Sequence, residues 1–398
     1  MKIAFLTPEY PNPRTGSSGG IGTSIMNLSN GLILQGHQVS LLIYGQQKDD
    51  FFQENGIDYY CIKNIKFKGL SRFLTQKKIE KLINTLVLDS KIDIIEAPDW
   101  TGITSFIQPK CPVVIRLNGS DTYFCHLDNR PVKWLNKFHE KRALQKANAL
   151  ISVSQFTADL TNKVFRFNKN FTIIPNGINV DLFDNTTANS SSFNAVEESQ
   201  NGKTILYFGT LIRKKGLLEL PLIFNEIVKK DRIVKLILVG KDASDSISGN
   251  ASTWQMMQNL FTPEALLSVN YKGSVSYDEI KTIISNATVC VFPSFAEALP
   301  VSWIEAMAMQ KAIVASNIGW ATEVIDDGLN GFLVNPKNHL EYANMILKLL
   351  ENSELRKQFG IQARIKVENK FSNNVVAKSS VDFYQKSIDH FKKTNQKE

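Results

Sequence analysis

Two glutamates carry the chemistry that is easiest to read. Glu297 and Glu305 are separated by seven residues in the stretch Pro293-Ser294-Phe295-Ala296-Glu297-Ala298-Leu299-Pro300-Val301-Ser302-Trp303-Ile304-Glu305-Ala306-Met307-Ala308-Met309. Ionised carboxylates are pure acceptors, so two of them at this spacing can hydrogen-bond two parts of a polyhydroxylated ligand. The apolar run ending at Phe292 reads as a strand, and after the loop 293–297 a helix is expected to run to Met309. Glu297 is then expected in the loop and Glu305 about two turns further along, on the helix. Pro300 suits a helix first turn, where its missing N–H costs nothing. The N–H groups at such a helix start can hold phosphate or hydroxyl oxygens. A plainer reading stays open on these residues alone: two surface glutamates that suit the helix dipole.

Cations come next. Gly209-Thr210-Leu211-Ile212-Arg213-Lys214-Lys215-Gly216 follows a predicted strand. Positive charge there can neutralise a diphosphate as it leaves, or can simply be a solvated basic loop. Gly19-Gly20-Ile21-Gly22 follows the first predicted strand and opens a helix, a place where backbone approaches phosphate closely. No Gly-Lys-Ser/Thr follows it, and the spacing is not that of a dinucleotide fingerprint. A simple turn explains it equally well. A further loop, Arg116-Leu117-Asn118-Gly119-Ser120-Asp121, puts Asn118 where it can bond a hydroxyl but cannot carry a proton.

The elements that must position these residues alternate between strand and helix. Lys2–Thr7, Val39–Tyr44, Ile57–Ile62, Ile92–Glu96, Val113–Leu117 and Ala149–Val153 read as strands separated by helical periods. A basic helix over 131–149 is expected to carry Lys133, Lys137, Lys141 and Lys146 on one face. Residues 184–202 are rich in Asn, Thr and Ser and read as a linker. The alternation then restarts at Thr204–Phe208. This gives an α/β protein of parallel sheets covered by helices. The expected domains are 1–190 and 191–372, with 373–398 a helix that packs back on the first. Ligands of such sheets sit at the carboxyl ends of the strands.

With these motifs in order along the chain, the sequence resembles the retaining glycosyltransferases of family 4, also known as group 1. Their mark is E-x-F-G-x-x-x-x-E-A-M-A-x-G, which Glu297, Glu305 and Ala306-Met307-Ala308 match. Pro300 and Gln310 replace the two glycines, and Gln310 suggests an altered turn. The resemblance implies a GT-B fold of two facing Rossmann-like domains with an interdomain cleft. It implies that Glu297 lies by the donor sugar and that Glu305 holds the ribose. Gly-Arg-Leu-x-x-x-Lys-Gly in the family aligns Lys215 with its phosphate-binding lysine, while Thr210 stands at the arginine position. Either Arg213 supplies the missing cation or one phosphate contact is weaker; with Arg213 as substitute, Glu297, Lys215 and Arg213 are the expected catalytic groups. Donor contacts are expected from Gly20, Gly22, Asn118, Thr210, Leu299, Pro300, Val301 and Glu323 as well. Asn118 replaces a common histidine. Ile174-Pro175-Asn176-Gly177-Ile178-Asn179 and Gly319-Trp320-Ala321-Thr322-Glu323-Val324-Ile325 are similar to two further family turns, with Trp320 making the second loop bulkier.

The resemblance implies transfer of a sugar from a UDP- or GDP-sugar to a saccharide or lipid-linked hydroxyl, in a surface polysaccharide pathway. No cofactor and no metal are expected. An epimerase or phosphorylase on the same scaffold, or a noncatalytic binding module, are the rivals. The chain has 398 residues, 43% hydrophobic, and a formal charge of +8. That charge suits weak attraction to polyanions. Nucleic-acid binding would need a concentrated stripe with aromatic platforms, and is not expected. Lys133, Lys137 and Lys141 are an expected contact for an anionic membrane surface, or else a solvated face. The start has no secretion signal and no run long enough to span a bilayer. Four irregularly spaced cysteines, Cys61, Cys111, Cys125 and Cys290, suit reduced thiols. A cytoplasmic location, with attachment to the inner face of the plasma membrane, is the expectation.

Overall fold

The computed structural model describes residues 1–16, 18–183 and 203–395. The chain divides into two compact units, Met1–Asn179 with Lys370–Glu398, and Val180–Asn369. The boundary expected between residues 190 and 191 lies outside the described residues.

The first unit contains β1 (Lys2–Thr7), α1 (Gly20–Leu34), β2 (Gln38–Gln46), β3 (Asp50–Glu54), β4 (Ile57–Lys63), α2 (Ser71–Leu88), β5 (Ile94–Pro98), β6 (Val113–Leu117), α3 (Asp121–Leu127), α4 (Trp134–Lys146), β7 (Ala149–Ser152), α5 (Gln155–Phe165) and β8 (Thr172–Ile173). The sheet runs β3-β4-β2-β1-β5-β6-β7-β8. Only the β3–β4 pair is antiparallel among these. Every residue of β5 and β6 is buried, as a sheet covered on both faces requires. The edge strand β3 departs from the expected pattern. Of its residues only Phe52 is buried, so no alternation announces it. It turns into β4 through Asn55 and Gly56, both left-handed at φ 50° and 75°. That pair is the turn chemistry of a tight hairpin.

Helix α4 starts at Trp134, with Lys133 in the capping position. The expected row of four lysines on one face is broken at its C-terminal end. Lys141 turns its ammonium over the Phe167 ring, 5.6 Å from the centroid. Lys146 follows Lys141 by five residues, which carries it well round the helix.

The second unit contains β9 (Thr204–Phe208), α6 (Leu220–Lys230), β10 (Lys235–Val239), α7 (Thr253–Gln258), α8 (Pro263–Leu266), β11 (Val269–Tyr271), α9 (Tyr277–Asn286), β12 (Val289–Phe292), α10 (Val301–Ala308), β13 (Ala312–Ser316), α11 (Ala321–Val324), β14 (Phe332–Val334), α12 (His339–Glu351) and α13 (Ser353–Lys366). Its parallel sheet runs β11-β10-β9-β12-β13-β14. The chain builds outward from β9 in one direction and from β12 in the other. The loops after β9 and β12 therefore flank the topological switch point, where such sheets leave a crevice.

Those two loops touch. Gly216 is left-handed at φ 72°. A Cβ on it would fall inside the van der Waals envelope of the Pro293 carbonyl. The Lys214 carbonyl accepts the amides of Phe295 and Ala296 at 2.8 and 3.2 Å. After β12 and its loop, Gln310 shapes the turn that ends α10. Gln310 takes the left-handed conformation at φ 56°, and its amide donates to the Met307 carbonyl at 3.0 Å. A side chain at Gly360 would collide with the Gln310 carbonyl. The Trp320 ring is wholly buried.

The last helix, α14 (Asn373–Asn395), belongs to the first unit. It packs on α1 so closely that a Cβ at Gly31 would stand 2.8 Å from the Asn373 carbonyl. It also completes a buried polar knot. Arg116 of β6 donates through Nε to Glu96 Oε1 at 2.8 Å and through Nη1 to the Ile174 carbonyl at 2.9 Å. Its Nη2 donates to Ser380 Oγ at 3.2 Å. Tyr384 Oη donates to Glu96 Oε2 at 2.5 Å. Glu96 and Arg116 are each 4% exposed. At that burial a broken pair is costly, since the orphaned charge has no water.

Two outcomes follow. Arg116→Met should destabilise the first unit by about 3–5 kcal/mol, and Tyr384→Phe by about 1–3 kcal/mol, in denaturant unfolding. Gly216→Ala should cost the second unit about 2 kcal/mol or more, from the left-handed backbone and the Pro293 contact together. A Gly216→Ala protein that unfolds at the wild-type denaturant midpoint would contradict the close approach.

Candidate functional site

The loop after β9 is shaped from its own backbone. Gly209 has φ 140° and donates its amide to the Val239 carbonyl at 2.9 Å. Tyr207 Oη donates to the Thr210 carbonyl at 3.0 Å. Burial, then the nearby Glu297 charge, pushes the Tyr207 phenol well above its usual range, so it stays a donor. Leu211 is tied to the loop after β10 through the Lys241 carbonyl at 2.8 Å. Arg213–Lys215 then form a single 3-10 turn, closed by Gly216.

That turn delivers Lys215 to Glu297. Lys215 Nζ lies 3.2 Å from Glu297 Oε1, with both side chains mostly buried. Ser294 Oγ donates to the same oxygen at 3.1 Å. Glu297 is thus a fixed carboxylate at the mouth of the β12 loop. Leu299 and Pro300 are buried, and Pro300 occupies the capping position of α10 instead of its first turn. Val301 is half-buried at the first helical position. Glu305 lies on α10 and is 9% exposed. Its burial sets aside the plainer reading of a surface glutamate. Glu323 is half-buried in the first turn of α11, after β13. Thr210, Lys215, Glu297, Glu305 and Glu323 therefore all follow the carboxyl ends of the adjacent strands β9, β12 and β13.

Arg213 is engaged elsewhere. Its Nε and Nη2 grip Asp245 in a two-pronged pair at 2.8 and 2.7 Å. Asp245 is 2% exposed. The Arg213 hydrogen bonds hold its carboxyl far below the usual carboxylate range, with help from Ser248. The Nη1 side lies outside this pair. Asp245 has no motif around it, so sequence alone gave no reason to choose it. Only the need of a half-buried guanidinium for a counter-charge points there.

The glycine loop and Asn118 belong to the first unit. Gly22 donates its amide to Glu9 Oε1 at 3.0 Å. A carboxylate thus sits at the start of α1, where an anion is favoured. A Cβ at Gly22 would meet the Glu9 carbonyl at 3.0 Å, whereas nothing crowds Gly20. The Asn118 amide donates to Asp99 Oδ1 at 2.9 Å, and its own Oδ1 accepts from Asn176 Nδ2 at 3.4 Å. Burial raises the Asp99 carboxyl to about 7. Glu9 and Asp99, each just beyond a strand, were not singled out from the sequence. Their signal was a lone acid after β1 and after β5. Among the described residues no group of three His, Cys, Asp or Glu side chains is placed to hold a metal ion. No described helix is long and apolar enough to cross a membrane.

Comparison with known proteins bears on this geometry. The family model described as Glycosyltransferase Family 4 matches residues 18–182, and that described as Glycosyl transferases group 1 matches residues 189–366. An uncharacterised glycosyltransferase of Methanocaldococcus jannaschii is 26% identical over 97% of this chain and 98% of its own length. The capsular polysaccharide biosynthesis glycosyltransferase CapM of Staphylococcus aureus is 27% identical over 60% of this chain and 61% of its own. The structure of an Anabaena protein in complex with UDP-glucose superposes with a TM-score of 0.71 at 18% identity, covering 97% of this chain and 100% of that one. Since the two family models follow one another along nearly all of a chain that has this doubled parallel-sheet architecture, the protein belongs to the group 1, family 4 glycosyltransferases of GT-B fold.

Proposed function

We propose that the protein moves a sugar from a UDP- or GDP-sugar to the hydroxyl of a saccharide or lipid-linked acceptor, with retention, in surface polysaccharide synthesis. The reaction is NDP-sugar plus acceptor hydroxyl giving glycoside plus NDP, the hydroxyl proton leaving with the products. The observation that carries the reading is the Lys215–Glu297 pair at the switch point of the second sheet. A mostly buried ammonium there opposes the charge that grows on a departing diphosphate, in surroundings where it is weakly screened. Glu297 orients the sugar hydroxyls beside it, and Glu305 the ribose. Thr210, Leu299, Pro300, Val301 and Glu323 shape the pocket. Gly20, Gly22 and Asn118 are donor contacts from the first unit.

Arg213 acts on the diphosphate only through the side not committed to Asp245, so Lys215 carries most of the charge neutralisation. Protein cations serve in this scheme in place of a metal. CapM, named for capsular polysaccharide biosynthesis, supports the pathway, and the UDP-glucose bound to the Anabaena protein supports the donor class. The work is cytoplasmic, at the inner face of the plasma membrane, where lipid-linked acceptors are displayed.

A screen of nucleotide sugars should show NDP release that depends on an added saccharide or lipid-linked acceptor. Donor isomerised without acceptor, turnover that needs free phosphate, or binding with no turnover would each refute transfer. Lys215→Ala should lower kcat by about 100-fold, the loss seen when one transition-state donor is removed. Glu305→Ala should weaken donor binding roughly tenfold, as loss of a charged hydrogen bond does. Unchanged donor affinity in Glu305→Ala by calorimetry would disprove the ribose role.

A further inference from the structure

The first unit exposes apolar side chains where two elements meet. Trp134 is 73% exposed at the start of α4, and Leu135 and Phe138 beside it are about half exposed. Phe67, Leu70 and Phe73 are exposed at the start of α2. The two groups are joined by ring contacts. Phe73 meets Phe106 edge-on at 5.6 Å, and Phe106 meets Phe138 at 6.4 Å. The Arg142 guanidinium lies over the Phe106 ring, 4.4 Å from its centroid, an attraction that helps to hold the row. Large apolar side chains scattered singly on a surface need no explanation, but a joined group marks a contact surface.

The charge around this group has one sign. Lys66 and Lys68 flank Phe67, and Lys133 and Lys137 flank Trp134. All four are exposed, and none has a carboxylate partner among the described residues. The nearby acids Asp121 and Asp128 are already taken up by Arg130, at 3.4 and 3.2 Å. Lys141, held over Phe167, is not among the cations of the patch.

We propose that this patch docks the protein on an anionic lipid bilayer, with Trp134, Phe138 and Phe73 entering the headgroup boundary and the four lysines facing lipid phosphates. Aromatic rings with apolar bodies and lysines with long stems suit that boundary. A second copy of the chain would set the basic rim against itself, so charge complementarity selects the bilayer. The inference rests on the reading of a membrane-displayed acceptor and adds the surface that reaches it. Binding to vesicles is measured without donor or acceptor, so failure of docking and failure of transfer are separable.

The test is sedimentation of the full chain with vesicles of phosphatidylcholine alone and of phosphatidylcholine with phosphatidylglycerol, alongside tryptophan emission. The expected result is binding to the anionic vesicles and a blue shift that disappears in Trp134→Phe. Lys133→Gln/Lys137→Gln should weaken binding roughly tenfold or more and flatten its salt dependence. Trp134→Ala/Phe138→Ala should weaken it at high salt as well, while both variants keep wild-type NDP release with a soluble acceptor. Equal binding to neutral vesicles, or binding untouched by both double variants, would overturn the proposal. So would a dimer in solution that Trp134→Ala/Phe138→Ala dissolves, since it would assign the patch to a second copy.

Discussion

The backbone of Gly216 presses against the carbonyl of Pro293, and no side chain fits between them. From that approach the rest of the second unit's site is set. The Lys214 carbonyl is brought to the amides of Phe295 and Ala296. The ammonium of Lys215 is brought to Glu297, and Ser294 fixes the carboxylate from the other loop. Two loops from strands far apart in sequence thereby act as one rigid element. The arrangement holds opposite charges ready before any ligand arrives, which is the condition for electrostatic stabilisation without reorganisation.

The first unit solves a different problem with the same means. A few of its charged residues are buried within the protein fabric, where each must be answered. Glu96 is answered by Arg116 and Tyr384. Glu140 accepts the amides of Asp121 and Thr122, stitching the start of α3 to α4. Glu9 fills the start of α1. The aromatic row at α2 and α4 leaves large apolar side chains exposed.

Much of this was legible from residue types. Strand and helix alternation, the glutamate pair and the Lys215 loop follow from hydrophobic period and motif spacing, which are local properties. Other features were hidden because their partners are distant. Asp245 acquires meaning only once Arg213 is beside it in space. The edge strand β3 was missed because a strand with one buried residue has no alternation, although Asn55-Gly56 offered the turn. Gln310 misled in the other direction. A glutamine in place of a glycine suggests an altered turn, yet Gln310 takes the left-handed conformation that glycine favours. The excess of about 1–2 kcal/mol that a side chain adds in that region is borne by packing around it. The lysines of α4 misled because a spacing of four shows a face, not what each ammonium prefers to lie against.

The return of α14 to the first unit also orders events during synthesis. The second unit is encoded whole within the chain, whereas the first is interrupted and ends with the last helix. Ser380 and Tyr384, which answer Arg116 and Glu96, leave the ribosome after the entire second unit has emerged. Until then the buried ion pair lacks two of its partners and the α1 surface at Gly31 lacks its cover. The nascent protein thus completes its second unit first, and its first unit only once α14 has emerged.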